Sequence, residues 1–194
     1  VYTMSSSYGD SYQLVPVCAA QLSVTKETLL VLSDEGKLYR SNIENISDLS
    51  EVFSDGKVLS FITDDRYIYV LSKTDSEKKL FQLSLSDGQT VAQTSTKDLS
   101  ETLSQSDTMI HLGTKAFSKF EGLALKYTTA DEILDAHQEV ILTNKGLHSS
   151  NNGSVVSLFN TNGENFAFDV NYNLFSSDSR TLWKVSANGS PFVK

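Results

Sequence analysis

The sequence predicts an all-β fold assembled from repeated short antiparallel hairpins, and three observations carry that prediction. Apolar runs such as Leu29 to Leu32 and Tyr67 to Leu71 are four or five residues long, the length and composition of strands rather than helices. The runs are punctuated by Gly, Asp, Asn and Ser, the residues that reverse a chain. The strand-turn-strand unit also returns at a nearly constant interval.

Five hairpins follow in order. Leu29-Leu30-Val31-Leu32 pairs with Lys37-Leu38-Tyr39-Arg40 across Ser33-Asp34-Glu35-Gly36, where Gly36 supplies the positive φ of a tight turn. Tyr67 to Leu71, a polar connection from Lys73 to Lys78, and Lys79 to Leu85 form the second hairpin, and Ser86-Asp87-Gly88 leads into a further strand at Gln89-Thr90-Val91. The third joins Met109 to Leu112 with Ala116-Phe117 across Gly113-Thr114-Lys115. Glu139 to Leu142 and Leu147-His148 flank the turn Asn144-Lys145-Gly146 in the fourth. Asn173 to Phe175, Thr181 to Val185 and a closing turn at Ala187-Asn188-Gly189 repeat the three-strand order in the fifth. The first large apolar residues after each turn, Leu38, Leu80, Phe117, Leu147 and Leu182, stand 42, 37, 30 and 35 residues apart. Periods on the order of 35 to 50 mark propeller blades or solenoids. Helix is expected only as a minor component, at Glu132 to His137, introduced by Thr128 to Asp131, and at Leu99 to Leu103.

Physics gives a reason for concatenation. A small hairpin sheet cannot bury its apolar face alone, so it hides that face against a neighbouring sheet. Phe81, Leu83 and Leu85 alternate with a mostly polar set, which places them on one face. Paired apolar residues at Leu38-Tyr39 and Leu182-Trp183 imply strands covered on both faces. The expected architecture is a β-propeller, or part of one, with about 4-5 blade-like hairpins in a single domain over 1-194. Residues 1-27 are expected to be an N-terminal strand region that closes the ring, with Tyr2, Tyr8 and Tyr12 in a docking strand or an interaction strip. Beginning at Val1 without a methionine or leader, the chain reads as a processed product or an excerpt of a larger propeller.

Two segments carry a resemblance. Asp34-Glu35-Gly36-Lys37-Leu38-Tyr39 and Asp178-Ser179-Arg180-Thr181-Leu182-Trp183 resemble the "Asp, any, Gly, any, hydrophobic, aromatic" unit found widely in β-propeller repeats. The likeness is to a repeat class and covers residues 28 to 194 loosely. Ser176 to Trp183 also partly resembles the Asp-box of sialidase-type propellers, with Arg180 where that motif has Gly and Leu182 where it has Thr. An Asp-box shapes a turn and does not catalyse. The Gly-His and Trp-Asp dipeptides of WD40 repeats are missing.

Composition narrows the function. The 194 residues, 39% of them hydrophobic, suffice for a real core. The formal charge is -8, so the phosphate attraction that dominates nucleic-acid binding is missing and no nucleic-acid partner is expected. No apolar run approaches the roughly 20 residues of a membrane-spanning helix, and no membrane insertion is expected. Cys18, the one cysteine, rules out an internal disulfide framework and reads as a buried small hydrophobe. The triplets beginning at Asn45, Asn152 and Asn188 fit the glycosylation pattern, which a Ser- and Asn-rich chain also produces by chance.

Reactive chemistry does not stand out. His111, His137 and His148 lie on separate segments with no metal-ligand spacing, and read as ordinary surface or core histidines. Asp64-Asp65 and Asp131-Glu132 are adjacent carboxylates whose side chains diverge on any regular element, so they read as solvated turns. Gly113, Gly122 and Gly146 make no phosphate cradle. No catalytic, cofactor-binding or metal residue is assigned, and no cofactor is expected. The leading expectation is therefore a non-enzymatic scaffold for other proteins within a larger assembly. An extracellular or virion-surface glycan-binding module is the alternative, motivated by Ser/Thr/Asn-rich loops. A propeller hydrolase or lyase with acidic residues converging on the axis is the second alternative.

Overall fold

The computed structural model describes the backbone of residues 2–4, 11–13, 17–25, 27–97, 100–101, 103–137, 140–143, 146–151, 154–160, 165–168, 174–177 and 182–185. Side-chain surroundings are described for most residues from 17 to 134 and for 141–143 and 148. Every regular element among them is a β-strand. By internal contacts the chain divides into two compact units, residues 1–103 with 121–123, and residues 104–120 with 124–194.

In the first unit, β1 (Tyr2–Met4) and β2 (Ser11–Gln13) pair with each other in a two-stranded sheet. Two four-stranded antiparallel sheets follow, each with neighbouring strands in chain order. One contains β3 (Ala19–Val24), β4 (Thr28–Ser33), β5 (Leu38–Asn42) and β6 (Asn45–Phe53). The other contains β7 (Lys57–Thr63), β8 (Tyr67–Lys73), β9 (Lys78–Ser84) and β10 (Thr90–Thr96). A third such sheet contains β11 (Leu103–Gln105), β12 (Met109–Leu112), β13 (Lys115–Ser118) and β14 (Leu125–Thr128). The fourth contains β15 (Ile133–His137), β16 (Val140–Thr143), β17 (Gly146–Asn151) and β18 (Ser154–Asn160). A three-stranded sheet of β19 (Asn165–Phe168), β20 (Leu174–Ser177) and β21 (Leu182–Val185) completes the order.

The five hairpins read from the sequence are β4–β5, β8–β9, β12–β13, β16–β17 and β20–β21, each with a further strand beside it. Burial shows why the central pair was the visible part. In β4 and β8 five consecutive residues are buried, so apolar side chains occupy both faces and the run reads as continuous. Leu30 and Leu32 of β4 join Leu38, Phe53, Val58, Phe61, Ile68, Val70, Phe81 and Leu83 in one core between the first two four-stranded sheets. Leu29 and Val31 face the other way, against Val17, Tyr39, Ile46 and Leu49. Phe53 and Phe81 meet edge to face with ring centroids 4.8 Å apart, a geometry the ring quadrupoles favour. In the second unit Ala116 and Tyr127 pack on Ile133 and Ile141. The outer strands alternate instead, and β10 is exposed at four of its seven positions, so its residues carry a weak strand signal.

Three expectations need correction. Glu132 to His137 is not helical: Ile133–His137 is β15, paired in register with β16 through Asp135 to Leu142 and Ala136 to Ile141. The Ile133 N–H donates to Gly113 O, and the Thr129 hydroxyl donates to the carbonyls of Thr114 and Asp131. The capping-type residues thus serve a sheet connection, and tertiary pairing overrides a short helical pattern. Of Leu99 to Leu103, residue 103 opens β11, while 99 and 102 lie outside the described residues. The polar alternation in β9 is likewise incomplete: Phe81 and Leu83 face the core with Leu85 packed against it, but Leu80 and Gln82 on the opposite face are buried too.

Backbone bonds tie successive sheets at matching positions. Gly36, in the β4–β5 turn, accepts from Val58 N in the next sheet, and Gly113, in the β12–β13 turn, accepts from Ile133 N in its next sheet. Gly36 has φ +83°, and a Cβ there would stand 2.4 Å from Lys57 Cγ and 3.0 Å from Val58 O. Gly88 has a similar φ of +76°, but a Cβ there would meet only Val52 at 3.5 Å. Both substitutions to Ala incur the cost of the left-handed backbone, about 1 kcal/mol, while Gly36→Ala adds a clash with Lys57 and the Val58 carbonyl, beside the Val58 N–H that Gly36 O receives. Urea denaturation is expected to show Gly36→Ala losing about 2 to 3 kcal/mol and Gly88→Ala about 1 kcal/mol.

Candidate functional site

The turns between first and second strands share one construction. Thr25, Asp64 and Ser106 each donate a backbone N–H to the carbonyl three residues on, at Thr28, Tyr67 and Met109. Their side-chain oxygens accept the return N–H from those same residues, at 3.2, 2.9 and 3.3 Å. Asp64 does more than its neighbours. Its Oδ1 also accepts from Arg66 N at 2.9 Å, and its Oδ2 accepts from the Tyr69 hydroxyl at 3.1 Å. Burial and then the Asp64 charge push the Tyr69 phenol well above its usual range, so it stays a donor.

Two of these turns frame a cleft of about 640 Å³ in the first unit, lined by Thr25, Glu27 and Thr28 on one side and Asp65, Arg66 and Tyr67 on the other. Ser84 at the end of β9, with Leu85 and Ser86 just after it, completes the lining. Arg40 braces this segment by donating from Nη1 to Leu85 O at 2.8 Å. The cleft is polar and mixed in charge, with Tyr67 and Leu85 its apolar bodies. Asp64-Asp65 was expected to be a solvated turn. Asp64 is instead a turn anchor, while Asp65 is exposed at the cleft wall.

Leading into that wall is a strand whose polarity is reversed. Along β3 the more buried positions hold Gln21 and Ser23, while Ala20, Leu22 and Val24 face outward, Leu22 47% and Val24 64% exposed. Gln21 is held in by its amide, which donates from Nε2 to Phe61 O at 2.6 Å and accepts from Phe61 N at Oε1, 3.3 Å. A half-buried amide so paired satisfies both outward backbone groups of a neighbouring strand. That register turns the apolar set of β3 to solvent. Cys18, just before β3, is exposed, a correction to the expected burial: its carbonyl accepts from Asp34 N and the strand that follows carries its small apolar residues outward.

The histidines do not converge. His111 in β12 is 1% exposed, with Nδ1 3.4 Å from Ser104 Oγ. Nearby, the buried Lys119 donates to Gln105 Oε1 at 2.8 Å. His111 and Tyr127 flank Ala116 on three adjacent strands and share a face, and His111 Nε2 and the Tyr127 hydroxyl have no hydrogen-bond partner among the described residues. Burial drives the Tyr127 phenol up to about 12. His148 Nε2 lies 2.9 Å from Thr143 Oγ1, and burial lowers its affinity for a proton. His137 belongs to β15, and its side chain is outside the described set. Asp131 is half-buried and Glu132 exposed, so this carboxylate pair stays divided. Asn45 is exposed at the start of β6; Asn152, Asn188 and Tyr8 lie outside the described residues, and Tyr2 and Tyr12 fall in the β1–β2 hairpin. No group of three metal-ligating side chains occurs among the described residues.

The repeated Thr25, Asp64 and Ser106 turn was missed from sequence. Its signal, a short oxygen-bearing side chain three residues before a strand, is visible once the spacing of 39 and 42 residues is known.

No protein-family model and no curated protein sequence matches the chain. Solved structures do. The AfRom2 CNH domain aligns with 95% of this chain and 72% of its own at 9% identity, TM-score 0.57. The computationally designed Ika8 protein aligns over 89% of this chain and 61% of its own, at 14% identity and TM-score 0.58. The dihydro-heme d1 dehydrogenase NirN in complex with DHE, a propeller, aligns over 92% of this chain and 46% of its own, at 13% identity and TM-score 0.59. The chain thus spans less than two thirds of the latter two. These identities speak to fold alone, and the fold is all-β and propeller-like.

Burial, and secondarily the Lys119 charge, hold His111 neutral, with its pKa lowered from 6.5 to about 4. The unfolded chain takes up this proton first as pH falls, so the stability conferred by neutral His111 is full above pH 6.5 and is lost on the way down to about pH 4. The loss is about 3 kcal/mol. Urea titrations followed over that pH window are expected to show it, and His111→Gln is expected to flatten the slope.

Proposed function

We propose that the chain is a non-catalytic scaffold that holds protein partners, its four-stranded sheets serving as propeller blades. The observation that carries this reading is the outward apolar set of β3, Ala20, Leu22 and Val24, beside a polar cleft. Large apolar side chains grouped at the surface and rimmed by polar residues are characteristic of protein contacts. The bonding of Gln21 to Phe61 makes the exposure a consequence of register rather than of a loose end. The chemistry named for NirN belongs to that protein and gives no reaction here.

The cleft favours a second reading. Tyr67 lines the cleft together with Glu27, Asp65 and Arg66, an aromatic ring and charged groups suited to the apolar faces and hydroxyls of sugars, so a glycan is the alternative occupant.

A photo-crosslinking residue at Val24 in native extract is expected to capture a discrete set of proteins, and Leu22→Ser with Val24→Ser to cut that capture by about tenfold at unchanged stability. Binding on a glycan array that survives the β3 double variant and is lost with Tyr67→Ala would favour the glycan reading instead. Turnover in a substrate screen, abolished by Glu27→Gln or Asp65→Asn, would overturn both.

A further inference from the structure

A second place in the first unit bears on protein binding, the outer edge of β10, which ends its sheet. An antiparallel edge strand presents alternate N–H and C=O groups outward, a template for another strand unless something guards it. Elsewhere in the first unit guards are visible. β6 carries Asp48 and Glu51, and the outward N–H and C=O of Phe61 in β7 are taken by Gln21. β10 has neither device within the strand, and the exposed Lys97 stands just past its end. Its seven residues, Thr-Val-Ala-Gln-Thr-Ser-Thr, contain no charge and no proline. Val91 is 55% exposed, and Gln93 and Ser95 are exposed with it. The strand is held in place on its other face, where Gly122 approaches Ala92, and at its end by Ser95 Oγ donating to Glu77 Oε2 at 2.8 Å.

Charge selects the occupant. The chain carries -8, so a second copy or an acidic segment is repelled. In the turn between β9 and β10 stands exposed Asp87, whose carboxyl is held below its usual range by hydrogen bonds from Ser84 and Gln89 N and by Arg40. We propose that β10 accepts an extended, basic segment of a partner protein as an added strand, with main-chain bonds supplying affinity and a Lys or Arg of the segment facing Asp87. This inference rests on the scaffold reading and names one of its surfaces.

The test uses the full chain and a fluorescent synthetic peptide of alternating Thr and Val ending in Lys, against the same peptide ending in Glu and a version N-methylated at alternate residues. Fluorescence anisotropy is expected to show the basic peptide binding about tenfold more tightly than the acidic one, with N-methylation abolishing binding and hydrogen exchange slowing at residues 90–96. Gln93 is exposed, so its variants keep the fold: Gln93→Lys is expected to weaken the basic peptide and Gln93→Glu to strengthen it. Equal binding of the N-methylated peptide, protection located elsewhere, or indifference to both Gln93 variants would overturn the proposal. So would a concentration-dependent dimer dissolved by Gln93→Lys, which would make a second copy the occupant. Failure here with capture at Val24 intact removes β10 alone; loss of both removes the scaffold reading itself.

Discussion

Everything in this molecule depends on one constraint: a sheet of three or four short strands has more apolar face than it can hide by itself. In the first unit Leu30 and Leu32 reach Val58, Phe61, Ile68 and Val70 of the following sheet, and in the second Ala116 and Tyr127 reach Ile133 and Ile141. Fully burying side chains of this size stabilises by about 1.5 to 3 kcal/mol each, and none of it is available to a sheet alone. Hydrogen bonds then fix the geometry that burial demands. The carbonyls of Gly36 and Gly113 receive the first strand of the next sheet, which sets where each layer begins relative to the last.

That constraint also explains what could be read from the residues. Central strands are covered twice, so β4 and β8 announce themselves as unbroken apolar runs, and all five hairpins fall where those runs predict. Outer strands are covered once or less. β7, with Ser60 and Thr63 among its apolar residues, reads as loop until its partner is known, and of β10, with five Thr, Gln or Ser side chains, only the start at Thr90-Val91 reads as strand. Glu132 to His137 failed for the opposite reason: a helical pattern over so few residues is weaker than a ready sheet edge at β16. Propeller character was legible as a period and is matched by the fold comparisons, while the number of blades rests on the proposal.

The candidate site was less legible because its chemistry is positional. Leu22 and Val24 look like core residues in the sequence, and only the inward bonding of Gln21 shows that their face is turned out. Asp65 and Arg66 look like loop charges, and only the fold sets them across a cleft from Glu27. His111 likewise betrays nothing of its burial or of the cation at Lys119. The Gln21–Phe61 and Glu27–Asp65 relations arise between segments that the chain separates by about 40 residues, beyond the reach of any local pattern.

The shared turn at Thr25, Asp64 and Ser106 bears on how such a chain can change. A hydroxyl or a carboxylate meets the same N–H with the same geometry, so the position asks for an oxygen on a short arm and not for a particular residue. Successive copies of one unit can then drift apart letter by letter while every bond persists. The fold asks little of the individual residues, and a comparison of shapes reaches similar structures that residue matching passes over.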